Sequence, residues 1–148
     1  MKQAYFASRA WCSPERYVQG AGEFDRIRFY TDKFGKRIAF FIDGFFYDRF
    51  REKLLNIYRE PAYEIRTIRF DTEVTRTLID RHVEALAPFA PELIVGIGGG
   101  KAIDVAKAVA ARCGRRFIIV PTAASTDAPT SSLSVIYSES GAHEGEFF

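Results

Sequence analysis

Residues 98–100 are three consecutive glycines, and Lys101 follows them directly. The apolar run 93–97 precedes the glycines and an amphipathic stretch, 101–113, follows, so they are predicted to join a buried strand to a helix. Glycine lets the backbone approach a diphosphate closely, and the start of a helix offers unpaired N–H groups with partial positive charge. The pattern therefore predicts an anion-binding turn at the carboxyl end of a strand, where α/β folds bind ligands.

This turn matches neither of the two best-known phosphate-binding loops. A Walker A loop that ends at Lys101 needs Gly at position 95 and Ser or Thr at position 102, where the chain has Val95 and Ala102. The G-x-G-x-x-G pattern starts at Gly96 and Gly98, but Lys101 stands where its last small residue belongs. A tight turn that binds no ligand therefore remains the alternative interpretation.

Asp43 is the second residue whose position indicates chemistry. It ends the predicted strand 37–42 and stands directly before Gly44. A carboxylate at this point can accept hydrogen bonds from the diol of an adenine ribose and would repel a 2′-phosphate, which favours NAD over NADP. The alternative is an aspartate that caps a helix or braces a turn.

The third candidate region is the hydroxyl-rich segment 120–134, which contains Asp127. It follows the apolar run 117–120, which predicts a buried strand. A loop of this kind above a strand end can bind nicotinamide or a polyol. The alternative is a solvated loop without a ligand.

The elements that must position these residues alternate along the chain. The predicted strands are 16–19, 37–42, 63–70, 93–97, 117–120 and 133–137. The predicted helices are 23–34, 45–58, a third capped at Asp71-Thr72 with Glu73 in its first turn, and 101–113. This alternation predicts an α/β fold with a mostly parallel sheet and flanking helices, of the Rossmann-like kind. Segment 63–70 is expected at a sheet edge or with a local irregularity, and Ser140-Gly141 could turn a terminal β-hairpin.

Composition excludes several classes of protein. The chain has 148 residues, a formal net charge of +2 and 47% apolar residues, so one globular domain is expected and a nucleic-acid partner is not. No apolar run reaches the roughly 18 residues that span a membrane, and the first residues are too polar for a signal peptide, so a cytoplasmic location is expected. His82 and His143 form no zinc-binding motif, and no metal site within this chain is predicted.

The sequence resembles the glycerol dehydrogenase branch of the iron-type, or group III, alcohol dehydrogenases. The resemblance covers nearly the whole chain, and its most specific part is the stretch Ser-Thr-Asp-Ala-Pro-Thr-Ser at 125–131. It also includes 17–20, the glycines with Lys101, Asp104 and Lys107, and 135–137. The resemblance implies NAD-linked oxidation of glycerol to dihydroxyacetone. Residues 1–148 would be the N-terminal NAD-binding domain, and a C-terminal helical domain that carries the zinc ligands would be absent from this chain.

The resemblance also implies individual roles. Asp127 would bind the glycerol hydroxyls. The implied cofactor contacts are Asp43, Gly98, Gly99, Gly100, Lys101, Thr122, Ser125, Ser131, Leu133 and Tyr137. No catalytic residue and no metal ligand is assigned, since zinc is expected only in a complete enzyme.

The chain alone is therefore expected to bind NAD weakly and to lack useful activity. Two alternatives stay open: a nucleotide-binding module without catalysis, and a relative of the glycerol-1-phosphate dehydrogenases. The substrate is expected to be a small 1,2-diol. The partners left open are a second copy of the chain and a separate helical half.

Overall fold

A parallel sheet forms the centre of the computed structural model, which describes residues 15–138 and 140–147, and of 144–147 the backbone only. The strands are β1 (Arg37–Asp43), β2 (Glu64–Phe70), β3 (Leu93–Gly98) and β4 (Arg116–Pro121), in the order β2-β1-β3-β4. An antiparallel hairpin consists of β5 (Leu133–Tyr137) and β6 (His143–Phe147). The helices are a short 3-10 helix (Glu23–Arg26), α1 (Ile27–Thr31), α2 (Tyr47–Ile57), α3 (Arg76–Leu86) and α4 (Gly100–Arg112). The predicted α/β fold with a parallel sheet and flanking helices is confirmed.

The central strands β1 and β3 are buried because successive side chains enter two different apolar clusters. On one face of the sheet Phe41 and Ile94 pack with residues of α3 and α4. On the other face Phe40 and Ile97 pack with Leu54 of α2. Burial of an apolar side chain of this size contributes about 1.5–3 kcal/mol, so these clusters supply the main stabilisation of the domain.

Helix α4 lies directly against β3, and a glycine makes this contact possible. A Cβ at Gly96 would lie only 2.8 Å from the Cβ of Ala106. All residues from 102 to 110 are buried, since the helix is covered by the sheet on one side and by β5 on another. The start of α4 is thereby fixed relative to the carboxyl ends of the strands.

The terminal hairpin turns where the sequence predicted it. The amide of Ser138 donates to the carbonyl of Ala142 over 2.8 Å, and Gly141 adopts a positive φ of 82°. The hairpin is attached to the segment before α3, because the amide of Tyr137 donates to the carbonyl of Val74 over 2.8 Å.

Two predicted elements near the start of the described chain are wrong. Residues 16–19 form no strand and are exposed, because no neighbouring strand in the described chain pairs with them. The predicted helix 23–34 is split between the 3-10 helix and α1, which ends at Thr31. Cys12 lies outside the described residues.

The start of α3 also differs from the prediction. Asp71 does not cap the helix; Thr75 does, and its hydroxyl accepts from the amide of Leu78 over 3.2 Å. Val74 before the cap and Ile79 in the first turn belong to the same apolar cluster, the arrangement known as a hydrophobic staple. Glu73 therefore lies in the connection before the helix and not in its first turn.

The prediction for one edge strand of the sheet is confirmed, and the prediction for the other is wrong. Strand β2 is an edge strand as predicted, and its pairing with β1 is continuous, so the proposed irregularity is absent from this pairing. Strand β4 was expected to be buried but lies at the other edge of the described sheet, with Phe117 41% exposed. Within the described residues, no helix is long and apolar enough to cross a membrane.

Candidate functional site

The glycine turn between β3 and α4 is held tightly at its first and third residues. Gly98 has a positive φ of 152°, and a Cβ there would lie 2.6 Å from the Cβ of Asp43 and 2.8 Å from that of Ala102. A Cβ at Gly100 would lie 3.0 Å from the hydroxyl oxygen of Thr126. The fold itself therefore requires a glycine at Gly98 and has little room at Gly100.

Gly99 is different, because neither its backbone conformation nor its surroundings require a glycine there. Its φ is −82°, which any residue adopts, and no described atom beyond its chain neighbours lies within 4 Å of the position of a Cβ. Gly99 is the N-cap of α4, whose first N–H groups have no partners inside the helix. The turn thus presents backbone donors beside open space, which is what a diphosphate needs for close approach.

Lys101 lies in the first turn of α4, and its side chain is 58% exposed. Its ammonium forms an ion pair with the carboxylate of Glu73, which is 55% exposed. Exposed pairs of this kind contribute about 0.2–1 kcal/mol, so an anionic ligand could replace Glu73 at modest cost.

Two open clefts meet at this ion pair, and both are lined by Glu73 and Lys101. The smaller cleft, of about 380 Å³, lies at the ends of β1 and β2, and its other lining residues are Asp43, Gly44, Phe45, Phe70, Asp71 and Thr72. The larger cleft, of about 530 Å³, lies beside the hairpin, and its other lining residues are Thr75, Tyr137, Ser138 and Gly141. Of the predicted cofactor contacts, Asp43, Lys101 and Tyr137 thus line these two adjoining clefts.

Asp43 has a structural role in addition to its position in the smaller cleft. One carboxylate oxygen accepts from the amide of Phe45 over 3.0 Å, which is the turn-bracing contact that the sequence left open as an alternative. Asp71 follows β2 and lies close by, since a Cβ at Gly44 would be 2.7 Å from its Cβ. Asp43 and Asp71 therefore border this cleft together with Glu73, although Arg69 pairs with Asp71 over 2.9 Å.

The hydroxyl-rich loop reaches the glycine turn through its backbone. The amide of Thr122 donates to the carbonyl of Gly98 over 2.9 Å. Ser125 and Asp127 are exposed, and neither residue lines either of these two clefts. The same holds for Thr122, Ser131 and Leu133 as lining residues.

The sequence of this chain matches that of a known protein family. The model of the family described as iron-containing alcohol dehydrogenase matches residues 14–148. The chain belongs to the iron-containing alcohol dehydrogenases. The predicted membership is thereby confirmed, and the family is one of oxidoreductases.

Several individual proteins are similar to this chain along most of its length. A glycerol dehydrogenase of Thermotoga maritima is 40% identical over 133 residues, which are 86% of this chain and 35% of that protein. A glycolaldehyde reductase of Halobacterium salinarum is 34% identical over 92% of this chain and 37% of its own length. The crystal structure of a probable glycerol dehydrogenase from Sinorhizobium meliloti superposes with a TM-score of 0.83 at 37% identity, covering 95% of this chain and 38% of that one. The chain thus spans about a third of the length of these relatives.

The zinc that the resemblance implies finds no site in the described residues. No group of three His, Cys, Asp or Glu side chains comes together there. His82 packs edge-on against Phe41 with ring centroids 5.0 Å apart, and burial lowers its pKa. His143 lies against the ring of Tyr137.

Sequence reasoning missed the residues that complete the clefts of this family member. Glu73 was assigned to a helix, and its contact with Lys101 spans 28 residues of sequence, so no local pattern reveals it. Thr75 could have been recognised as a cap from the apolar residues on either side of it. Asp71 was assigned to the cap and in fact lines the smaller cleft.

Proposed function

We propose that this chain forms the NAD-binding part of a dehydrogenase that oxidises glycerol or a similar small polyol. The observation that carries this proposal is Gly99, a glycine that the fold does not need, at the start of a helix and beside open space. The relatives that are named as glycerol dehydrogenases, 34–40% identical to the chain, favour the same activity.

The residues around the glycine turn would each bind a different part of NAD or the substrate. The backbone of residues 98–100 and the ammonium of Lys101 would bind the diphosphate, and Asp43 the adenine ribose. The side chains proposed for the nicotinamide side are Thr122, Ser125, Ser131, Leu133 and Tyr137. When bound, NAD accepts the hydride that leaves the substrate carbon. The chain's own residues would bind and orient NAD, and Asp127 would bind the substrate hydroxyls.

Charge favours NAD over NADP in the proposed adenosine cleft. Asp43 and Asp71 both border this cleft, so a 2′-phosphate placed there would meet two carboxylates. Arg69 compensates only part of this charge, because it pairs with Asp71 at an exposed position. Replacing Asp43 by Ala should therefore weaken NADH binding and narrow its advantage over NADPH.

The charge balance of the larger cleft favours an uncharged substrate. Its two charged lining residues, Glu73 and Lys101, neutralise each other. A polyol can bind to such a surface through its hydroxyl groups alone. A phosphate ester, as a glycerol-1-phosphate dehydrogenase would require, would meet the carboxylate of Glu73, which the diphosphate of NAD leaves without its partner Lys101.

The decisive experiment is a fluorescence titration of NADH with the wild-type chain and with Gly99→Val. The new side chain points into open space, so the free energy of unfolding should change by less than about 1.5 kcal/mol, mainly through the poorer N-cap. NADH affinity should fall about tenfold or more, because the side chain occupies the approach to the turn. Lys101→Ala should weaken binding as well.

Ala111→Val is the matched control, since it adds the same side chain to an exposed position at the other end of α4. Its affinity should equal that of the wild type. A wild-type chain that shows no saturable binding of NADH would refute the proposal. A folded Gly99→Val chain with unchanged NADH affinity would refute it as well. Glycerol-dependent reduction of NAD by the chain alone would show that the expected inactivity is wrong.

A further inference from the structure

A lysine in the middle of α4 is almost completely enclosed. Lys107 is 1% exposed and belongs to the largest fully buried side chains of the described protein. Its ammonium donates to the carbonyl of Ala128 over 3.0 Å and to that of Ser131 over 3.3 Å, and it also bonds to the carbonyl of Leu133. Three backbone carbonyls of one short segment, 128–133, thus converge on a single nitrogen atom.

Asp104, one turn earlier on α4, supplies the balancing charge. Its carboxylate lies 3.0 Å from the Lys107 ammonium, and the residue is 5% exposed. The other carboxylate oxygen accepts from the amide of Val135 over 3.2 Å, and the carbonyl of Asp104 accepts from the hydroxyl of Ser134 over 3.0 Å. Burial raises the pKa of Asp104, while the neighbouring Lys107 opposes that shift.

Removing this lysine would leave the segment with few other ties to the helix. An ammonium group has three donors and no acceptor, and a buried charge is costly unless it is paired. Among the described residues, the other hydrogen bonds of segment 128–133 are local: Thr130 donates to the carbonyl of Asp127, the amide of Ala128 to the hydroxyl of Thr126, and the hydroxyl of Ser131 to the carbonyl of Leu133. The contacts of Lys107 and Asp104 are therefore the main polar attachment of residues 128–135 to α4.

The attached segment borders the glycine turn. Where a Cβ at Gly100 would stand, the hydroxyl of Thr126 is 3.0 Å away and the Cβ of Ala128 is 4.0 Å away. The segment also carries Ser131 and Leu133, which the proposed function places beside the nicotinamide. A shift of the segment by about 1 Å would therefore change the shape of the site, and misplacements of that size have large effects on binding and catalysis.

We propose that Lys107 is a positioning residue, whose ammonium fixes the segment 128–133 against α4 in the geometry that receives the nicotinamide side of the cofactor. This inference rests on the proposed function. It assigns Lys107 no contact with the cofactor. A lysine that stabilised only the fold would affect every ligand of the domain to the same degree, whereas a positioning lysine affects only ligands that reach the segment.

The test compares two ligands on the purified chain. ADP reaches the proposed ribose and diphosphate contacts only, whereas NADH also reaches the segment held by Lys107. Lys107→Met removes the ammonium and keeps the length of the side chain. We expect the dissociation constant for NADH to rise about tenfold and that for ADP to change less than about twofold. Hydrogen exchange of the Thr130 amide should become faster.

Lys53→Met is the matched control, because Lys53 is exposed on α2 and pairs with Asp25. It should leave both affinities and the exchange of Thr130 unchanged. Equal weakening of NADH and ADP by Lys107→Met would overturn the positioning role, and so would unchanged affinity for both. If the wild-type chain binds neither ligand, the proposed function fails, and the exchange of Thr130 alone then decides whether Lys107 holds the segment.

A second variant is needed if Lys107→Met does not fold. Asp104→Asn keeps the shape of the side chain and its acceptor for Val135 but removes the charge that balances Lys107. We expect the same selective loss of NADH affinity, about threefold, with faster exchange of Thr130. A folded Asp104→Asn chain with wild-type NADH affinity and wild-type exchange would refute the proposal.

Discussion

At the amino ends of β1 and β3 the carboxylates accept hydrogen bonds from neighbouring groups of the protein. At the carboxyl ends of the strands the charged side chains border open clefts. Glu92 accepts from the amides of Lys36 and Arg37 over 2.7 and 3.0 Å. Asp32 accepts from the hydroxyl of Tyr63 and from the ammonium of Lys36. These contacts close the amino end of the sheet, so its polar groups serve stability.

The carboxyl end of the sheet also has carboxylates and an ammonium, but here they are exposed and line clefts. The ion pair between Lys101 and Glu73 is exposed and divides two clefts, and Asp43 lines one of them. The first amides of α4 have no partners within the helix. This end of the sheet is therefore available to a ligand that can satisfy backbone donors and replace a carboxylate.

A glycine at each end makes the difference clear. Gly35 has a positive φ of 138°, and a Cβ there would overlap the side chain of Glu92, whose own Cβ would be 2.6 Å away. Gly99 has an ordinary φ and open space around it. The conformation and the contacts of the fold require the first glycine, whereas the second has only the mild preference for glycine at an N-cap. What surrounds the position of a missing Cβ thus separates glycines kept for the fold from glycines available to a ligand.

The largest effect should come from Gly35→Ala. The methyl group would displace Glu92 and force a left-handed backbone on alanine, so the free energy of unfolding should fall by roughly 2–4 kcal/mol. Urea denaturation measures this loss. NADH affinity of the folded fraction should remain that of the wild type, because Gly35 lies at the opposite end of the strands from the clefts.

Gly99→Ala completes the comparison as its control. Its free energy of unfolding should change by less than about 1 kcal/mol. If both alanine variants lost the same stability, the distinction between the two ends would be wrong. Wild-type stability in Gly35→Ala would show that Glu92 moves aside without cost.

A smaller effect is expected from Glu73→Gln. The change removes the carboxylate that pairs with Lys101 and keeps a similar shape, so the ammonium becomes available to a diphosphate. Since an exposed pair contributes about 0.2–1 kcal/mol, NADH affinity should rise about two- to fivefold at low salt. The gain should shrink as salt is added, because exposed charges are screened.

Glu52→Gln on α2 is the control for this change in net charge, since it is exposed and far along the chain from the glycine turn. It should leave NADH affinity within error of the wild type. A Glu73→Gln chain that binds NADH more weakly would indicate that Glu73 contacts the cofactor directly and does not compete with it.

The buried part of the fold could be predicted from the sequence because its signals are local. The apolar runs that became β1 and β3, and the glycines that join β3 to α4, lie in unbroken stretches of sequence. Their neighbours along the chain are also their neighbours in the fold. The same locality made the hairpin turn at Gly141 predictable.

The errors arise where distant residues decide the structure. Residues 16–19 have strand-forming side chains, but a strand needs a partner, and none lies beside them in the described chain. Strand β4 is apolar enough for a central strand, and the order of the sheet alone places it at an edge. The contacts of Glu73 with Lys101 and of Lys107 with Leu133 cross 28 and 26 residues, so composition and spacing do not predict them.

The smallest effect expected is a pH dependence at the amino end of the sheet. Hydrogen bonds from the amides of Arg37 and Lys36 lower the pKa of Glu92 below its usual value. The ionised carboxylate therefore stabilises the folded chain above the unfolded pKa of about 4.3, and this contribution is lost as the pH falls through the lower folded value. Glu92→Gln cannot titrate, so its stability should fall less than that of the wild type between about pH 5 and pH 3.

Urea denaturation of both chains across this range measures the difference, and Glu64→Gln serves as control. Glu64 is also exposed at the amino end of the sheet, at the start of β2, but no hydrogen bond joins its carboxylate to the backbone of the described residues. Its variant should lose stability in acid as the wild type does. If Glu92→Gln also followed the wild type, the two amide bonds would contribute nothing to stability. The amino end would then be closed by packing and by Gly35, and not by charge.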